Sequence, residues 1–268
     1  MAALQPPRAS ASGLQMTRVD AYKEMLGTLD DPEPYLLEHS GLPGPRGNIE
    51  LAQAAADVRP ASELRRWAEL DARAAPTGGP EEFLSFCGVV GLGRLLTERD
   101  PHALRALRRH ADDPRWRVRE AVAMALQRWG RQDFDALAAA MAEWANGSWL
   151  ERRAAAAALC EPVLLTDGRR VRVTLDVLEA ATEPIATAEA AERRSDEYKA
   201  LRKGLGYCWS VAVAAAPETG RPALESLVER AVNTGDGDLR WIARQNLRKH
   251  RLARMDPDWV DELLARLG

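Results

Sequence analysis

The sequence predicts an all-α fold built from repeated helix pairs. Three observations predict it: strand signals are almost absent, helix-start signals recur along the chain, and one tryptophan-bearing frame returns in register. With 46% apolar residues among 268, the chain has enough apolar surface for a real core.

Residues 1–15, MAALQPPRASASGLQ, are rich in proline, serine and alanine without a continuous apolar run. They read as a disordered tail rather than a signal peptide, leaving 16–268 as a single domain. Asp31-Pro32, Asp100-Pro101, Asp113-Pro114 and Asp256-Pro257 each set a side-chain acceptor ahead of a proline, whose missing N–H costs nothing in a first helical turn. Thr17, Asn48, Ser62, Asn146 and Asp238 are further cap candidates. LEHSGLPGPRGNIE (37–50) reads as a defined loop, a rigid turn between repeats, leading into a helix capped at Asn48. GVVGLG (88–93) has glycines like those of a phosphate loop, but it lies in an apolar helix with no strand before it, so close helix packing accounts for it. GLGYCW (204–209) reads the same way. VRVTLDV (171–177) alternates like a strand, yet runs straight into LEAA and is assigned to a helix within an insertion near 163–195.

The repeated frame is visible in DPRWRVREAVAMAL (113–126), NGSWLERRAAAAAL (146–159) and DLRWIARQNLRKHR (238–251): Asp or Asn, Trp three later, Arg six later. Trp116 and Trp149 lie 33 residues apart, and the same step backwards reaches Phe83 and then Glu50, where Trp and Arg are lost but a helix persists. Asp113-Pro114 followed by Val118-Arg119, Ala121, Ala125 and Leu126 resembles the second half of a HEAT repeat. The resemblance implies an ARM-type α-solenoid of about six or seven stacked antiparallel helix pairs, with the second helices lining a concave groove. It also implies a structural ladder of buried hydrogen bonds, made by Asp113, Arg119, Asn146, Arg152, Asp238 and Arg244, that ties neighbouring repeats together.

An α-helix turns by about 100° per residue, which gathers Val118, Ala121, Val122, Ala125, Leu126 and Trp129 into one apolar stripe. Trp116 falls away from that stripe beside Glu120 and Ala123. Trp149 shares its face with Arg153 and Ala156, and Trp241 with Gln245 and Arg248. Indoles flanked by guanidinium groups suit stacking on a base or contact with a peptide. The expected binding residues are therefore Trp116, Trp149, Arg153, Trp241, Gln245 and Arg248, on a non-catalytic scaffold that takes a protein segment or nucleic acid. An alternative comes from a second resemblance. Trp116, Glu120 and Arg152 or Arg153, with WLERRAA at 149–155, are similar to the pattern of the HEAT-like DNA alkylation-repair glycosylases. That similarity implies Glu120 as the catalytic carboxylate stabilising a cationic sugar. The carboxylate here is Glu rather than Asp, and the tandem aromatics around it are missing.

The net charge of −3 conceals a gradient. Residues 1–100 carry 10 basic and 15 acidic side chains, 101–160 carry 10 and 7, and 161–268 carry 17 and 18. A global polyanion-binding field is not expected, although RWRVR (115–119) and ERR (151–153) leave room for a local basic strip. RALRRH (105–110) reads as the solvated face of an outer helix. Cys87, Cys160 and Cys208, odd in number and set in apolar helices, read as buried reduced thiols of a cytoplasmic protein. His39, His102, His110 and His250 are scattered, with no HExxH or CxxC, so neither a metal nor a cofactor is expected. No stretch approaches the roughly 20 apolar residues of a membrane span.

Overall fold

The computed structural model describes residues 17–268; the tail expected at 1–15 lies outside them. Among the described residues the chain is all-helical, with fifteen α-helices, three 3-10 turns and no strand. It divides into two compact units, the first ending at Arg128 and the second running from Trp129 to Gly268.

The first unit holds α1 (Arg18–Gly27), α2 (Glu33–Glu38), α3 (Ile49–Val58), α4 (Ala61–Ala68), α5 (Glu82–Thr97), α6 (Ala103–Ala111) and the start of α7 (Trp116–Gln132). The sequence of α5, EFLSFCGVVGLGRLLT, is apolar almost all round, and 14 of its 16 residues are buried. A helix without a polar face belongs in the middle, and α2, α3, α4 and α6 all pack on it. The glycines of GVVGLG permit this. A Cβ on Gly88 would stand 2.2 Å from the Ala68 nitrogen, and one on Gly93 would stand 2.6 Å from the Ala125 Cα of α7. These helices meet backbone to backbone.

The second unit comprises α8 (Phe134–Trp144), α9 (Trp149–Leu159), α10 (Gly168–Thr182), α11 (Asp196–Ala215), α12 (Pro217–Thr234), α13 (Gly237–Leu247), α14 (His250–Met255) and α15 (Pro257–Leu267). Here α11 is central, with α9, α10, α12, α13 and α14 against it. Residues 171–177 lie within α10 and are helical.

Thr17, Asn48 and Asp256 cap their helices through the amides of Asp20 (3.2 Å), Leu51 (3.1 Å) and Trp259 (3.0 Å). Three other cap candidates are displaced. Ser62 lies inside α4, which starts after Pro60. Ser148, not Asn146, caps α9, because Glu151 completes a capping box that satisfies two amides at once. Asp236, not Asp238, caps α13, accepting from the amides of Asp238 and Leu239.

The expected ladder takes a different form. Arg119 donates to the carbonyls of Asp113 (2.6 Å) and Pro114 (2.9 Å), while the Asp113 carboxylate is taken by Arg115 (2.7 Å). Arg152 donates to the carbonyls of Ala145, Gly147 (3.0 Å) and Ala180 (3.0 Å). Arg244 reaches the carbonyls of Leu267 (3.4 Å) and Gly268 (2.6 Å). Asn146 donates to the carbonyl of Ala142 (2.9 Å). The Asp238 carboxylate accepts instead from Arg193 (2.9 Å) and Tyr198 (2.7 Å) and forms an ion pair with Arg202 (2.6 Å). The recurring arginine thus satisfies carbonyls that helix ends and turns leave without partners.

No helix among the described residues is long and apolar enough to cross a membrane. All three cysteines are free and buried.

Candidate functional site beside Trp116

The stripe read for α7 is inward-facing: Val118, Ala121, Val122, Ala125 and Leu126 are fully buried and Trp129 is half-buried, whereas Trp116, off the stripe, is 45% exposed. Ala123, placed on the tryptophan's face, is buried. Of the eight tryptophans only Trp116 is exposed.

The 37–50 loop supplies the facing wall. Its neck is closed by the Asn48 amide donating to the Ser40 carbonyl (2.8 Å), and the Asn48 side chain ties it to the His39 carbonyl (3.0 Å) and the Tyr22 hydroxyl (3.1 Å). Gly41 turns it at φ +76°, a left-handed conformation that glycine adopts without a Cβ penalty. Arg117 fastens the loop to the helices. Its guanidinium donates to the Gly44 carbonyl (2.7 Å) and to Glu82 Oε2 (3.0 Å), and its Cζ lies 4.5 Å from the Trp116 ring centroid. Glu82, fully buried at the start of α5, also accepts from the Gly78 amide (2.8 Å), while its other oxygen lacks a hydrogen-bond partner.

Between these parts lies a cavity of about 190 Å³. Its apolar wall is formed by Leu42, Pro45, Phe83, Phe86, Trp116 and Met124, with polar atoms from Arg46, Arg117 and Glu120. The Phe83 and Phe86 rings run nearly parallel, 6.1 Å apart.

The other expected binding residues belong to the second unit, and two of them are packing groups. The Trp149 ring meets Tyr198 of α11 edge-on at 5.2 Å. Burial and the Asp238 carboxylate push the Tyr198 phenol up from its ordinary pKa. Trp241 is covered by Arg202 at 4.0 Å and lies on Gly206, where an added Cβ would stand 2.8 Å from its ring. Both indoles are half-buried against α11. Gln245 also adjoins Gly206, and Arg153 runs past Gly204. Arg248 is exposed at the end of α13.

RWRVR also turns inward. Arg115 is 1% exposed and donates to the carbonyls of Leu70 (2.9 Å), Asp71 (3.3 Å) and Ala75 (3.0 Å). With Arg117 buried as well, the expected basic strip is largely spent on the fold.

No family model, curated protein or solved structure matches this chain. The site's chemistry therefore rests on its own residues. A cavity of about 150 Å³ lined by apolar side chains holds a benzene ring, whereas drug-sized ligands fill about 300 Å³ or more. At about 190 Å³ this pocket suits one ring or one branched side chain. The sequence reading singled out the loop, Trp116 and Glu120, and it reached Phe83 as the residue one repeat before Trp116. It missed Phe86, Met124 and the Glu82–Arg117 pair. The available signal for Glu82 was a carboxylate opening an otherwise apolar helix.

Proposed function

We propose that the chain is a non-catalytic binding module, each unit a short stack of HEAT-like helix pairs, whose pocket beside Trp116 receives an apolar side chain from a protein segment. The observation that carries this reading is the apolar cavity with an exposed indole at its wall. Exposed aromatics beside pockets are the usual anchors of protein interfaces. A protein segment is favoured over nucleic acid by the charges. Arg117 is committed to Glu82 and the Gly44 carbonyl, Glu120 adds a carboxylate that repels phosphate, and Arg46 is the exposed cation of the lining.

A second reading keeps Glu120 as the catalytic carboxylate of a lesion-directed glycosylase, because Glu120 and Trp116 share the pocket. Fluorescence anisotropy with peptides bearing a single Leu, Phe, Met or Trp, set beside intact and methylated duplexes, separates the two. Under the first reading one peptide class binds, Trp116→Ala weakens it by about 30-fold, as loss of a 2 kcal/mol anchor does, and damaged duplex gains nothing over intact. Tighter binding to damaged duplex that falls steeply with salt, with base release abolished in Glu120→Gln, would overturn it.

A further inference from the structure

The RALRRH run lies on α6 beside a second cavity. Ala103, Leu107 and Ala111 turn α6 onto the core. A groove of about 330 Å³ lies between α6 and α4, floored by Ala68, Leu92, Ala103 and Ala106. The rim is cationic, with Arg65 on the α4 side and Arg105 and Arg109 on the α6 side, against the single lining carboxylate of Glu69.

These guanidinium groups differ in commitment from those of RWRVR. Arg115 and Arg117 are buried, while Arg65 and Arg109 hold side chains 51% and 57% exposed. Arg65 pairs with Asp100, and Arg109 with Glu69 at 3.0 Å. The Arg109–Glu69 pair, exposed on both sides, contributes about 0–1 kcal/mol, so an incoming carboxylate can exchange with Glu69 at little cost, whereas the Asp100 carboxylate under Arg65 is buried. Arg105 is exposed, and no carboxylate among the described residues pairs with it.

We propose that the α4–α6 groove docks an acidic, amphipathic segment of a partner protein, its apolar side chains in the trough and its carboxylates on Arg105, Arg109 and Arg65. Charge complementarity selects the sign of the partner. The floor selects its class: alanines and a leucine accept aliphatic side chains and offer no ring on which a base could stack, while single-stranded nucleic acid sites depend on such rings. This surface is independent of the Trp116 pocket, and either proposal stands if the other fails.

The test uses the full chain and a fluorescein-labelled amphipathic helical peptide of about five turns, roughly 18 residues, with Leu on one face and Glu on the other. A second peptide carries Lys in place of every Glu. The proposal expects saturable binding of the Glu peptide, none of the Lys peptide, and weakening as salt rises from about 0.01 M to about 0.15 M. Arg105→Glu should weaken binding by about tenfold or more, and Ala106→Trp, which fills the trough, should do so without a charge change. Thermal unfolding of each variant checks the fold. The proposal is overturned if the Lys peptide binds equally, if both groove variants bind the Glu peptide like the wild type, if no saturable binding appears by about 1 mM, or if an oligonucleotide occupies the groove in the peptide's place.

Discussion

Replacing Gly88 by Ala adds one methyl group at the contact between α4 and α5. That Cβ would stand 2.2 Å from the Ala68 nitrogen, 2.7 Å from the Leu64 carbonyl oxygen and 2.7 Å from the Trp67 carbonyl carbon. All three are backbone atoms, so no side chain can swing aside and α4 itself must move, carrying the fully buried Trp67 with it. Overpacking costs about 1–3 kcal/mol, and rigid obstacles place this site near the upper end. Alanine is worth about 1 kcal/mol over glycine in a helix interior, which leaves a net loss of about 2 kcal/mol. At about 2–4 °C per kcal/mol, Tm should fall by roughly 4–8 °C. Gly204→Ala in α11 is the matched control, because its Cβ would meet only Arg153 Cγ at 3.5 Å, an ordinary contact. It should gain about 0.5–1 kcal/mol. Thermal unfolding followed by circular dichroism reads both. A Gly88→Ala protein as stable as the wild type would refute the backbone-to-backbone packing of these helices.

Glu82→Ala leaves the buried Arg117 guanidinium without its carboxylate and should cost about 3–5 kcal/mol in urea unfolding; a loss under 1 kcal/mol would show that the pair does not fasten the 37–50 loop. Burial holds the His110 imidazole below its ordinary value of 6.5, so the unfolded chain binds a proton that the folded chain refuses. Stability is then complete above pH 6.5, falls as the pH drops from there through the depressed folded value, and levels off below it. Urea midpoints across this range should show that slope in the wild type and a flatter one in His110→Gln. Asn246 is fully buried, accepting from the Ser210 amide at 2.9 Å and donating to the carbonyls of Leu205 and Ile242 at 2.8 Å. Asn246→Ala strands these groups between α11 and α13 and should cost about 1–3 kcal/mol, whereas a change within about 0.5 kcal/mol would mean that water replaces the amide.

What the sequence made legible was periodic. The α7 stripe, the helical reading of 171–177 and the packing role of the glycines at 88–93 all follow from the spacing of apolar and small residues, and burial enforces that spacing directly. Charged residues were less legible because several partners compete for each. Arg115 and Arg117 look like surface cations in sequence, yet loop carbonyls some 40 and 73 positions earlier draw them inward. The Asp-to-Arg spacing of six suggested a ladder of buried hydrogen bonds, but it did not reveal the carbonyls of helix ends and turns that the arginine satisfies. Trp149 and Trp241 matched Trp116 in frame and differ from it in place, because Tyr198, Arg202 and Gly206 of α11 offer them packing that no periodicity announces.

The measurement closest to the central proposal is a methyl NMR titration of the full chain, observing Met124 in the pocket wall and Ile49 beside it. The probes are N-acetyl-leucine amide, N-acetyl-phenylalanine amide and a methylated adenine nucleoside. The proposal requires saturable shifts at both methyl groups with an amino-acid amide, abolished by Phe86→Trp, which fills the cavity. Methyl groups that respond to the nucleoside alone, or to none of the three, would contradict it.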